Sequence, residues 1–195
     1  MDSFKFYYSI LSQYINVSFI PVLIHLWEDP KRKYHNIEHL ETVLSYIEKH
    51  RNSISSYDRY VALILAAFFH DAWYDPKDKS NEDKSIDLLV RNYTHQDSAI
   101  LNEVIKLIET TKHRKIPTEK LSKLFWMADN SKFVENFESQ KKIEAKIRSE
   151  YPLVSDKDYC NKRIEFLKTN IGLFDKKVDE NLLKLIKHCE DIYKK

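Results

Sequence analysis

Along most of this chain apolar positions recur every three or four residues, the spacing of helices that bury one face. In IEHLETVLSYIEK, for example, Ile37, Leu40, Val43, Leu44 and Ile47 fall on one side. Residues 2–15 and 18–28 follow the same rule, with Ser18 suited to cap the second helix, Pro21 to its first turn and Asp29-Pro30 to its end. One stretch differs. Tyr60 to Phe69 is an unbroken apolar run, hydrophobic all the way round a helix, which predicts a segment enclosed by protein on every side. Polarity then returns abruptly at His70-Asp71. An imidazole and a carboxylate at the end of such a rod are costly to desolvate unless something binds them. Adjacent helical residues point about 100° apart, so this pair can reach one ion only near a helix end.

Beyond the loop WYDPKDKSNED, Ser80 or Asn81 can cap a helix over about 82–92, and Asp97 or Ser98 another over about 98–112 that ends in TTKHRKIP. Thr118 opens LSKLFWMAD, whose apolar residues surround a lone acid, Asp129. Ser131 to Tyr151 reads as one long, charged, amphipathic segment, and a last pair of helices near 155–170 and 178–193 is divided by Gly172. The expectation is an all-α, single-domain bundle of eight to ten helices over 1–195. Its core is expected at about 30–130, with C-terminal helices 131–195 packed on it.

Composition narrows the function. One glycine and five prolines in 195 residues leave little material for hairpin turns or a phosphate-cradling glycine loop. A net charge of +2 with both signs mixed along the chain argues against duplex nucleic acid as partner and for a small ligand. Two unpatterned cysteines, the start MDSFKF and an apolar run at Val17–Trp27 too short for a bilayer point to a soluble cytoplasmic protein without a membrane partner.

Four residues could carry chemistry together: His39, His70, Asp71 and Asp129. Imidazole and carboxylate donors suit Mn, Fe, Zn or Mg, with the nitrogen content leaning toward a transition metal. A divalent ion lowers the pKa of bound water from 15.7 toward about 7 and offsets charge on a phosphoryl oxygen, which is the machinery of phosphoester hydrolysis. Singly, each residue has a plainer explanation: HD is a frequent dipeptide, Asp129 could cap a helix, and two histidines four apart could be polar positions on a half-exposed face. Their joint order favours the metal.

A His, then His-Asp, then a distant Asp on helices of an all-α domain resembles the HD-domain superfamily of metal-dependent phosphohydrolases. RKYHNIEH, with Arg32, Tyr34, His35, Asn36 and His39, followed by FFHDAWYD, NEDKS, TTKH, EYPLV and KRIEFL, is similar to a bacterial group of stand-alone HD phosphohydrolases over about residues 30–190. The YHNxxH piece is also like that of the cyclic-nucleotide phosphodiesterases, where the first His protonates the leaving oxygen and the second binds metal. That resemblance implies His35 as general acid and His39 as ligand. One helical turn would set their Cα atoms about 6 Å apart, a workable offset between ion and leaving group.

Further roles are expected for Glu82, orienting the attacking water, with Asp75 as its rival. Arg32, Lys33 and Lys112 are candidates to neutralise phosphate oxygens, and Tyr34, Asn36 and His113 to contact substrate. Where the family shows a DxDL-like stretch this chain has Met127-Ala128-Asp129-Asn130, so only the second acid is present. The leading expectation is a metal-dependent phosphohydrolase of a small phosphorylated molecule, a nucleotide being favoured. The alternative is a catalytically impaired module that binds nucleotide and metal for regulation.

Overall fold

The computed structural model describes residues 3–112 and 115–193. It is all-α, with ten helices and no sheet among the described residues. They run α1 Ser3–Tyr14, α2 Ile20–Trp27, α3 Ile37–Lys49, α4 Tyr57–Phe69, α5 Asn81–Asn92, α6 Ser98–Thr111, α7 Lys120–Asp129, α8 Phe137–Ser149, α9 Asp156–Asn170 and α10 Lys176–Tyr193. Short 3-10 turns lie at Val17–Phe19, Arg51–Ser53 and Ser131–Val134. None of the described helices is long and apolar enough to cross a membrane.

The apolar run forms α4, started by Ser56, whose hydroxyl accepts from Arg59 N–H. Every residue from Tyr60 to Phe69 is buried, because α1, α3, α5 and α6 surround it. Each large apolar side chain enclosed this way contributes about 1.5–3 kcal/mol. The N-terminal helices belong to the same cluster: Tyr7, Ile10, Leu11, Ile15, Leu23 and Trp27 pack into it. The core therefore begins at Tyr7 rather than near residue 30, because the amphipathic faces of α1 and α2 close the side of α4 that later helices leave open.

A second apolar cluster joins α9 and α10 through residues such as Cys160, Leu167, Leu182, Leu185 and Cys189. Gly172 divides these helices with φ +82°, the left-handed backbone that a glycine adopts without strain. Ser131–Tyr151 is not one helix. A 3-10 turn and the extended Glu135 and Asn136 interrupt it, and Asn136 caps α8 by accepting from Ser139 N–H. Three expected caps also move. Asn16, not Ser18, receives the N–H of the first 3-10 turn, Glu119 rather than Thr118 caps α7, and the Ser80 hydroxyl turns to Asp78 instead of capping α5.

A helix that ends inside protein must dispose of its last carbonyls. At the end of α4 all of them are satisfied. Ala66 accepts from His70 N–H at 2.9 Å, Ala67 from His70 Nδ1 at 2.9 Å, Phe68 from Trp27 Nε1 at 2.9 Å, and Phe69 from Ala72 N–H at 3.1 Å. Arg32 then clamps the next turn, donating to the carbonyls of Asp71 at 2.6 Å and Ala72 at 2.8 Å. This hydrogen bonding fixes the backbone that carries His70 and Asp71.

Candidate metal centre

Three helices deliver four ligand-type side chains to one point. His39 comes from the first turn of α3, His70 and Asp71 follow the last turn of α4, and Asp129 is the last residue of α7. His39 Nε2 and His70 Nε2 are 3.2 Å apart. Asp129 Oδ1 lies 3.2 Å from the first and 3.6 Å from the second, and Asp71 Oδ2 lies 3.8 Å and 3.4 Å from them. The ligand atoms of His39, His70 and Asp71 all fall within 4.8 Å of one another, an arrangement that can hold a metal ion.

The donor chemistry fits. Because a carbonyl only accepts, the contact to Ala67 puts a proton on His70 Nδ1 and leaves Nε2 to face the centre. The His39 ring is held by packing against Tyr34 and Trp27, while its Nδ1 is buried without a hydrogen-bond partner. Burial disfavours charge on His70, yet Asp71 and Asp129 outweigh it and raise the imidazole to about 9. Burial likewise works against ionised Asp129, but hydrogen bonds to His39 and His70 hold it well below the usual carboxylate range. Such shifts show how strongly this cluster of acids favours a positive charge among them.

His35 does not share a helix face with His39, as the spacing suggested. It precedes the cap Asn36, outside α3, and its ring centre lies 6.0 Å from that of His39. What fixes His35 is Glu150, at the end of α8. One Glu150 oxygen accepts from the N–H groups of Lys33 and Tyr34, both at 2.7 Å, and of His35 at 3.1 Å. The other accepts from His35 Nδ1 at 2.7 Å and from the Tyr74 hydroxyl at 2.8 Å, while the Tyr74 ring stacks on the imidazole at 4.3 Å. Burial alone would raise the Glu150 carboxyl, but His35 and these donors lower it to about 2. The remaining nitrogen, Nε2, is free for the cavity that His35 lines.

That cavity measures about 670 Å³ and lies between the two apolar clusters. Tyr34, His35, Glu82 and the four ligand candidates line it together with residues of α8, α9 and α10. Burial, and after it the charge of Asp71, raise the Glu82 carboxyl above its ordinary value. Asp75 is exposed instead and caps its own loop by accepting from Lys77 N–H.

Several expected substrate contacts lie elsewhere. Arg32 is spent on the carbonyls behind the centre, because a buried helix end needs donors more than the open cavity does. Asn36 caps α3, accepting from Glu38 N–H at 3.0 Å. Lys112 pairs with Asp83 at 2.5 Å and does not line the cavity. Lys33 is exposed, and His113 lies outside the described residues. Two contributors were missed: Glu150, within EYPLV, and Arg163, within KRIEFL, both segments whose sequence stood out without a role. Compared with protein families, curated proteins and solved structures, the chain matches none.

Proposed function

We propose that this chain is a metal-dependent phosphohydrolase of the HD-domain type, cleaving a phosphoester or phosphoanhydride of a small molecule, with nucleotides the favoured class. One observation carries the reading: His39, His70, Asp71 and Asp129 converge at the end of a cavity onto which a carboxylate-backed histidine also opens. Those four residues would hold a divalent cation, and their mixture of nitrogen and oxygen donors suits Mn, Fe or Zn better than Mg. A cation bound there acidifies water and offsets charge on a phosphoryl oxygen.

The chain's own groups do the rest. His35, with Nδ1–H held by Glu150, turns Nε2 away from that contact and would act as the general acid that protonates the leaving oxygen. Glu82, raised by burial, is suited to take a proton from water in the same cavity. Tyr34 packs on the His39 ring, and the side chains of His39 and His70 are almost fully buried while Asp71 and Asp129 remain partly open. The buried thiol groups of Cys160 and Cys189 fit the cytoplasmic setting proposed with this activity.

The test is hydrolysis of a nucleotide panel and an aryl phosphate with Mn, Mg or Zn, in native protein and Asp71→Ala. The variant is expected to remain helical by circular dichroism, to lose bound metal by elemental analysis and to lose turnover. Undiminished turnover in Asp71→Ala removes the reading. Nucleotide-dependent thermal stabilisation of the native chain without any product supports the regulatory module instead.

A further inference from the structure

The part of the cavity wall formed by α9 carries a charged group that the proposed reaction does not use. Arg163, on α9, lines the cavity with a side chain only 12% exposed. Its Nε donates to Glu144 Oε2 at 2.7 Å, and the other oxygen of that fully buried carboxylate accepts from the Tyr159 hydroxyl at 2.6 Å. Both oxygens of Glu144 are thus engaged. The two terminal nitrogens of Arg163 have no acceptor among the described residues and are accessible from the cavity. Burial works against the charged guanidinium, but Glu144 outweighs it and keeps the group cationic.

A guanidinium whose Nε is anchored and whose terminal nitrogens are open is a planar, two-pronged donor matched to a carboxylate or phosphate. Lys162 and Lys132 also border the cavity, Lys132 being paired with Glu135. The same cavity has aromatic lining from Phe133, Phe166 and Tyr151, and the Arg163 guanidinium lies 4.9 Å from the centre of the Phe166 ring. The Tyr34 hydroxyl feels the charges of Asp129, Arg163 and Asp71, so the cavity exposes one group to both the acids and the guanidinium. A cavity of about 670 Å³ is also far larger than a phosphoryl group needs.

We propose that Arg163, aimed by Glu144 and Tyr159, receives a second anionic group of the substrate, so that this site selects molecules with a planar apolar body between the reacting phosphoryl group and a further carboxylate or phosphate. The assignment of the phosphoryl end rests on the phosphohydrolase reading; the anion site at Arg163 does not. Among nucleotides it favours those that carry an additional anion remote from the scissile bond.

Non-hydrolysable probes separate the two ideas. Calorimetric titration in the presence of manganese would compare phenylphosphonate with 4-phosphonobenzoate and 4′-phosphonobiphenyl-4-carboxylate, which place a carboxylate one and two rings away. The native chain is expected to bind the better carboxylate at least tenfold more tightly than phenylphosphonate. That ratio should collapse toward one in the double variant Glu144→Gln/Arg163→Gln, which removes both buried charges together, and fall partway in Tyr159→Phe, where Arg163 remains but is less firmly aimed. Equal affinities in the native chain, absence of binding by all three probes, or a preference that survives the double variant would overturn the proposal. Selective binding in a chain that hydrolyses no phosphate leaves the anion site standing and removes the enzyme reading; hydrolysis without selectivity does the reverse.

Discussion

Replacing Glu150 by glutamine changes one oxygen for an amide nitrogen and tests how Glu150 prepares His35 for the role of general acid proposed for it. The native carboxylate accepts from the backbone N–H groups of Lys33, Tyr34 and His35, from His35 Nδ1 and from the Tyr74 hydroxyl. A glutamine oxygen can keep the three backbone bonds, but its NH2 group then meets two donors, Nδ1–H and the tyrosine hydroxyl. His35 is expected to respond by accepting from the amide at Nδ1, which loses both the anion beside the ring and the hydrogen bond that aims it. The stability cost follows from linkage. Glu150 titrates at about 2 in the folded chain against an ordinary 4.5, because His35 and its other donors overcome the opposing effect of burial. At about 1.4 kcal/mol per unit this amounts to roughly 3 kcal/mol at neutral pH.

The sign is that of a depressed carboxyl: the contribution is complete above the unfolded value and is lost as pH falls through 4.5 toward 2. Glu150→Gln should therefore melt about 6–12 °C lower at pH 7. In denaturant titrations with chelator present, the gap to the native chain should narrow by roughly 1 kcal/mol between pH 7 and pH 3.5. Catalysis supplies the sharper assay. A general acid is worth about 10²–10⁴ in rate, but only where the leaving oxygen needs a proton. With an alkyl phosphate the variant should lose about a hundredfold or more in kcat/KM, and with 4-nitrophenyl phosphate, whose leaving group departs unprotonated, less than about tenfold. Equal losses on both substrates, or a stability gap that ignores pH, would refute the assignment of Glu150 and with it that of His35.

Arg32→Met removes two charged-donor hydrogen bonds to the buried carbonyls of Asp71 and Ala72, so a loss of about 3 kcal/mol and weaker metal retention are expected by denaturant titration and elemental analysis. A variant of native stability would show that the end of α4 does not need this clamp. Gly172→Ala meets no neighbour within 4 Å, so only its positive φ matters. A cost of about 1–2 kcal/mol with unchanged metal content is expected, and a change at the centre would contradict the separation of the two apolar clusters.

The helices were legible because helical periodicity and complete apolar enclosure are local signals. Val43 and Ile47 mark a face, and Tyr60 to Phe69 mark a rod, whatever packs around them. His39, His70, Asp71 and Asp129 were legible for a related reason, since buried polar groups at the ends of apolar segments need a partner. Arg32 misled because a basic residue beside Tyr-His looks like a phosphate ligand, and nothing local reveals that α4 ends with carbonyls in want of donors. His35 has the expected chemical character for a different reason than helical spacing, as the backbone enters α3 only after Asn36. Glu150 and Arg163 could not be read at all from spacing, because their partners are tertiary: Glu150 reaches back 115 positions to His35, and Arg163 gains its aim from α8.

Those two missed residues also bear on why the C-terminal helices are built as they are. The N-terminal cluster encloses α4 without them, and α9 and α10 have an apolar contact of their own. Yet α8 carries two buried carboxylates, Glu144 and Glu150, each paired to a group that lines the cavity. Burying such ion pairs costs several kcal/mol per charge before attraction offsets it, and apolar residues of similar volume stabilise a fold as well or better. Packing alone therefore gives no reason for either acid. Orientation does: one holds an imidazole near the candidate metal ligands, and the other holds a guanidinium that lines the same cavity. On the proposed reading the N-terminal helices thus supply the candidate metal ligands, while the C-terminal helices aim the proposed acid and the proposed anion site.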